Sequence, residues 1–117
     1  MQLSEPSRNI DNQEAIQNTD NLLHIDYHNV KKAFLILRSL NNKPRQQMLK
    51  IINEEKKINV TEIYVKLRCE QSLASQHLGI LRNAGIVSTQ HEGKFVYYSI
   101  NDKRVDAIER FIKNIVG

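Results

Sequence analysis

The sequence predicts a mainly α-helical domain that carries one β-hairpin, in the order helix, helix, helix, turn, helix, strand, strand, helix. Two observations lead there. Apolar residues recur at helical spacing in five stretches between Val30 and Val116. Between the fourth and fifth stretches, residues 86–100 switch to β-branched and aromatic side chains around a single glycine, Gly93.

Each element has a local cause. Val30, Ala33, Phe34, Leu37 and Leu40 form one stripe of an amphipathic first helix, which Asn41-Asn42 ends. Pro44 suits the first turn of a second helix over 43–55, where its missing N–H costs nothing. Met48, Leu49, Ile51 and Ile52 are that helix's apolar positions. Asn59-Val60-Thr61-Glu62 has the spacing of a capping box, opening a short third helix over 60–67 that turns Val60, Ile63 and Leu67 inward. Arg68-Cys69-Glu70 breaks the chain before a fourth helix, Gln71 to Ala84, which Gly85 stops in the left-handed region. Ile86 to Gln90 reads as a strand, His91 to Lys94 as a turn, and Phe95 to Ile100 as the returning strand. Phe95, Tyr97 and Tyr98 read as hairpin packing. Asn101-Asp102 then caps a last helix with Val105, Ile108, Phe111, Ile112 and Ile115 apolar.

Composition bounds the function. A chain of 117 residues with 40% hydrophobic and 26% charged side chains suits one domain with one modest core. No apolar run approaches the ~18 residues that cross a bilayer, and the N-terminus lacks the pattern of a secretory signal. No membrane partner and a cytoplasmic location are therefore expected. One cysteine makes neither an internal disulfide nor a cysteine-based zinc site. The formal net charge of +4 hides an asymmetry. Residues 1–28 hold five acidic side chains against one basic, whereas residues 29–117 hold 16 basic against eight acidic, a net +8. A small body with that charge attracts a polyanion. Residues 1–22, rich in Asn, Gln, Asp and Ser, read as a flexible acidic and polar tail. Residues 23–117 form the expected domain.

Two short helices joined by a tight turn and followed by a β-hairpin describe a winged helix-turn-helix. The fourth helix has two distinct faces. Ala74, Leu78 and Leu81 share one, which suits a core; Ser72, Ser75, Gln76, Gly79 and Arg82 share the other. Amide and hydroxyl side chains exchange hydrogen bonds with base edges, and Gln bonds adenine in both directions. Small serines let a helix lie deep in a major groove. Gly79 costs about 1 kcal/mol relative to Ala inside a helix, a cost that makes sense where a backbone must approach closely. No carboxylate lies between Gln71 and Ala84. A merely solvated face usually mixes Glu with Lys, and this one is small and neutral with a single Arg.

The segments Gln71–Leu78, Leu81–Val87 and Gly93–Ile100 together resemble the arsenic-repressor (ArsR/SmtB) family, in its order and spacing, within a match over 28–115. The resemblance implies a homodimeric bacterial repressor whose first and last helices form the dimer interface, released from DNA by a ligand or redox signal. It places Phe34 and Leu37 of the first helix and Val105, Ile108, Ile112 and Ile115 of the last in that interface. Phe111 and Val116 widen the last helix's stripe beyond what a small core needs, which also points to a dimer. A two-fold dimer implies double-stranded DNA with a palindromic operator. By the same resemblance Gln71, Ser72, Ser75 and Gln76 read bases. His77 and Arg82 are neighbouring polar candidates, and Lys94 at the wing tip is a candidate phosphate or minor-groove contact. His77 reads equally well as a packing residue hydrogen-bonded near the turn. Glu70 departs from the family's usual Ser cap; it caps poorly but complements the helix dipole.

The family's soft-metal site uses a Cys-x-Cys pair, which here falls on Asn59 and Thr61. A second family site uses histidines on the last helix, where this chain has Asp102, Asp106 and Glu109 and no histidine. No cofactor or metal is expected. His24 and His28 would share a face if the first helix began early, a weak candidate pair of metal ligands. Cys69, beside Arg68 and ahead of a helix N-terminus, is a weak redox candidate; it reads better as a small, half-buried turn residue. No nucleophile or paired acid and base assembles, so an enzyme is not expected. The competing reading is a winged helix used for protein interaction or dimerisation, without direct DNA readout.

Overall fold

The computed structural model describes residues 24–117; the polar tail expected over residues 1–22 lies outside the described residues. The chain divides into two units, residues 1–33 and 34–117. In the first unit, Asp26 sets the start of α1 (Tyr27–Leu40). Its Oδ1 accepts from the backbone N–H of His28 at 3.0 Å and of Asn29 at 3.2 Å. This is N-cap geometry, and it leaves His24 outside the helix, which starts at Tyr27. His24 and His28 therefore do not share a helix face, which corrects the early-start expectation.

In the second unit, Asn42 caps α2 (Lys43–Glu55), accepting from the Arg45 N–H at 3.0 Å. The chain continues through β1 (Ile58–Asn59), α3 (Val60–Leu67), α4 (Gln71–Asn83), β2 (Val87–Glu92), β3 (Phe95–Ile100) and α5 (Asp102–Val116). The bounds of α2, α3 and β3 are those expected from the sequence.

Two details differ. The sheet has three strands, in the order β1-β3-β2, with Ile58 opposite Tyr98 and Asn59 opposite Tyr97. A two-residue strand has no alternation to read, so the sequence pattern cannot announce β1. The hairpin is also tighter than expected. His91 pairs with Val96 and Glu92 with Phe95, leaving Gly93 and Lys94 as a two-residue loop. Gly93 takes a φ of +63° and Lys94 stays at negative φ, the pattern of a II′ turn, whose twist matches the strands.

Met48 and Ile52 of α2, Ile58 of β1, Ile63 of α3 and Ala74, Leu78 and Leu81 of α4 are buried together with Ile86 and Val87. Burying a large aliphatic side chain of this kind contributes about 1.5–3 kcal/mol. Ile36 and Leu40 of α1 and Val105 and Ile108 of α5 pack half-buried against this cluster. The stripe expected for α1 is divided: Leu40 packs against the core, Ala33 and Leu37 are half-buried, and Val30 and Phe34 are exposed. Ser39 is buried, a place its hydroxyl tolerates by donating to the Ile36 carbonyl at 2.6 Å.

Candidate nucleic-acid interface

The helix-turn-helix is set by its caps. Asn59 Oδ1 accepts from the Glu62 N–H at 2.9 Å and Glu62 Oε1 accepts from the Asn59 N–H at 3.3 Å, completing the capping box of α3. Arg68 ends α3 in the left-handed region at φ +55°. The Cys69 N–H then donates to the Tyr64 carbonyl at 3.1 Å, which closes the turn. Glu70 takes the N-cap position of α4 without a side-chain cap bond. A carboxylate there faces the positive end of the helix dipole.

The two faces of α4 separate as the sequence pattern implies. Ala74, Leu78 and Leu81 have no exposed surface, while Gln71, Ser72, Ser75, Gln76 and Arg82 are exposed. Gly79 is half-buried, yet a Cβ built on it meets nothing within 4 Å. Packing inside the described protein does not call for a glycine there.

His77 lies between the two faces, half-buried. Its Nδ1 is 3.1 Å from Nη1 of Arg45. Arg45 is only 8% exposed, and its guanidinium is held by two further bonds. Nε donates to the Ser39 carbonyl at 2.6 Å and Nη2 to the Arg38 carbonyl at 3.4 Å. Those carbonyls sit in the last turn of α1, where helical partners run out. One guanidinium thus joins the end of α1 to α4. Burial first, and then the Arg45 charge, hold the His77 pKa below the ordinary imidazole value. Arg45 was not among the sequence candidates. The available signal was its spacing, since Arg45, Met48 and Ile52 fall on one side of α2.

Lys94 is exposed in the wing turn, its Nζ 5.7 Å from the Phe95 ring centroid. Phe95 and Tyr97 lie 6.4 Å apart in a tilted pair. Lys57 pairs with Glu92 and stands 5.0 Å over the Tyr97 ring, so its charge is engaged on the sheet. Behind the wing, the Asn101 N–H donates to the Ile86 carbonyl at 2.9 Å. Arg104 Nε donates to the Ala84 carbonyl at 3.1 Å. These bonds fix the start of α5 against the end of α4.

The apolar candidates divide. Val105 and Ile108 turn toward the core and Leu37 and Ile112 are half-buried. Phe34, Leu35, Phe111, Ile115 and Val116 are exposed, Ile115 at 70% and Val116 at 80%. Cys69 is half-buried against the core. Among the described residues, no group of three or more His, Cys, Asp and Glu is placed to hold a metal ion. Among them, too, no helix is long and apolar enough to cross a membrane.

Comparison with known proteins agrees with this geometry. Residues 42–89 match the model of the arsR family of bacterial regulatory proteins. The chain is 34% identical over 80 residues to the transcriptional activator HlyU of Vibrio cholerae, covering 68% of this chain and 73% of that protein. It is 33% identical over 94 residues to the transcriptional repressor PagR of Bacillus anthracis, covering 78% and 91%. The crystal structure of PagR is similar at a TM-score of 0.60 and 28% identity, over 74% of this chain and 99% of that one. Reduced HlyU is similar at a TM-score of 0.58 and 31% identity, over 74% and 92%. These relatives are transcriptional regulators and not enzymes. The winged helix-turn-helix, its polar fourth helix and these likenesses agree: the chain belongs to the arsR family of bacterial regulatory proteins.

Proposed function

We propose that the protein is a homodimeric repressor that binds a palindromic operator in double-stranded DNA and is released by a signal acting on the dimer. The observation that carries this reading is the exposed face of α4. Gln71, Ser72, Ser75 and Gln76 project from a helix whose other face is locked into the core. Donors and acceptors held that rigidly suit base edges in a major groove. Arg82 and Lys94, both exposed, suit the phosphates on either side. The exposed apolar side chains Phe34, Leu35, Phe111, Ile115 and Val116 support self-association. PagR, a relative, is named a repressor, and HlyU an activator. The repressor role proposed for this chain follows its likeness to PagR. As a cytoplasmic regulator it needs no membrane partner.

Ser75→Glu tests the reading, because it places a carboxylate where phosphates and base acceptors would lie. Gel shift with the DNA flanking the protein's own gene is expected to lose its complex while the variant stays folded and dimeric. A retained complex would remove α4 from the interface. A reporter driven by the same DNA is expected to rise when the protein is absent.

A further inference from the structure

A guanidinium has five N–H donors and no acceptor, and it stays protonated in a protein. The contact of 3.1 Å between Arg45 Nη1 and His77 Nδ1 is therefore a hydrogen bond in one direction, with Nδ1 accepting through its lone pair. An imidazole that accepts at Nδ1 is neutral and carries its one proton on Nε2. We propose that Arg45 is a positioning residue that fixes His77 as a neutral, Nε2-protonated imidazole, so that α4 presents DNA with a directed hydrogen-bond donor at this position in place of a titrating cation. The proposal rests on the reading of α4 as the DNA-contacting helix.

Three observations support it. The orientation of Arg45 is set independently of His77, because Nε is held by the Ser39 carbonyl and Nη2 by the Arg38 carbonyl. Ser39 is itself buried and anchored by its own hydroxyl. The imidazole thus adapts to the guanidinium. Next, the charged group facing the ring is Arg45 from α2, and Arg38 meets that guanidinium through its backbone carbonyl alone. A second positive charge on His77 would lose the hydrogen bond and face a cation at close range. The lowered His77 pKa agrees with this geometry. Finally, among the described residues no protein hydrogen bond engages Nε2, which leaves that N–H for a partner. A lone donor there matches a phosphate oxygen, or O6 or N7 of guanine.

Nitrogen-15 NMR of the imidazole rings in the full chain reads the protonation directly, with His77 assigned by the signal lost in His77→Gln. At neutral pH the expected spectrum shows Nε2 protonated and Nδ1 bare. Protonated Nδ1, or a doubly protonated ring, would overturn the proposal. Because the tautomer is read in the native chain, with His77→Gln serving only for assignment, it decides the matter even if Arg45→Met fails to fold. In Arg45→Met, which keeps an apolar stem, His77 is expected to sample both tautomers and to titrate at higher pH. Binding to a labelled duplex of the DNA flanking the protein's own gene is then expected to weaken about tenfold. Unchanged binding would contradict the proposal, as would weaker binding with an unchanged His77 spectrum. A native chain with the expected tautomer that binds no DNA would overturn the reading of α4 and not the lock on His77, so the two failures are distinguishable.

Discussion

The side chain of Arg104 lies across Gly85. Its Nε donates to the Ala84 carbonyl at 3.1 Å, and a Cβ on Gly85 would stand 3.0 Å from that same nitrogen. Gly85 also holds a φ of +77°, where a side chain costs about 1–2 kcal/mol. The conformation that stops α4 and the close packing of α5 thus both call for the same glycine. Gly85→Ala is expected to destabilise the fold by about 2–3 kcal/mol, read as a lower urea midpoint with an unchanged slope. A loss below ~0.5 kcal/mol, the range of ordinary surface substitutions, would contradict this packing argument.

Gly79 predicts the opposite sign. It lies inside α4, where Ala is favoured by about 1 kcal/mol, and a Cβ there meets nothing within 4 Å. Gly79→Ala is expected to raise stability by roughly that amount while weakening operator binding. The pairing of a more stable protein with a weaker DNA complex is the signature of close backbone approach. A more stable protein that binds DNA unchanged would leave Gly79 without that role.

Acidification acts through His77. Its pKa in the folded chain is below its ordinary value of 6.5, so the unfolded chain takes up this proton first as pH falls. The stabilisation from a neutral His77 is complete above that ordinary value and is lost as pH falls through the lower, folded one. His77→Gln, which keeps an acceptor for Arg45, is expected to flatten this part of the stability profile. The check is thermal unfolding of both proteins across the acid range. Parallel profiles would show that another group carries the dependence.

The apolar end of α5 predicts self-association. Phe111 is 45% exposed and Ile115 is 70% exposed, so neither supports the core of a single chain strongly. Ile115→Asp, alone or with Phe111→Ser, is expected to convert the proposed dimer to monomer in sedimentation velocity with helix content unchanged. Val105→Asp is a poorer test, because Val105 packs against the core and its loss also disturbs the fold. An Ile115→Asp protein that remains fully dimeric would move the interface elsewhere.

Much of this was legible in the residues. The capping box at Asn59 and Glu62, the left-handed stop at Gly85 and the apolar face of Ala74, Leu78 and Leu81 are local signals, and local physics forms those elements. What escaped depends on long-range contacts. β1 exists because Ile58 and Asn59 meet β3 some forty residues away. Arg45 looks like a solvated cation until the end of α1 and His77 are folded around it. The stripe of α1 gave its amphipathic character but not which of its residues meet the core, which Ile36 and Leu40 do. Ser39 occupies a buried place that no apolar pattern announces, its hydroxyl satisfied by the Ile36 carbonyl.

The central claim is that the α4 face reads DNA sequence. Fluorescence anisotropy of a labelled duplex from the DNA flanking the protein's own gene, titrated against a scrambled duplex over a salt series, tests it most directly. Two chains per duplex and a clear preference for the native sequence are expected. The affinity is expected to fall steeply between roughly 50 and 200 mM salt, as Lys and Arg displace counterions. Equal binding of the two duplexes, or no salt-sensitive binding at all, would contradict the central claim.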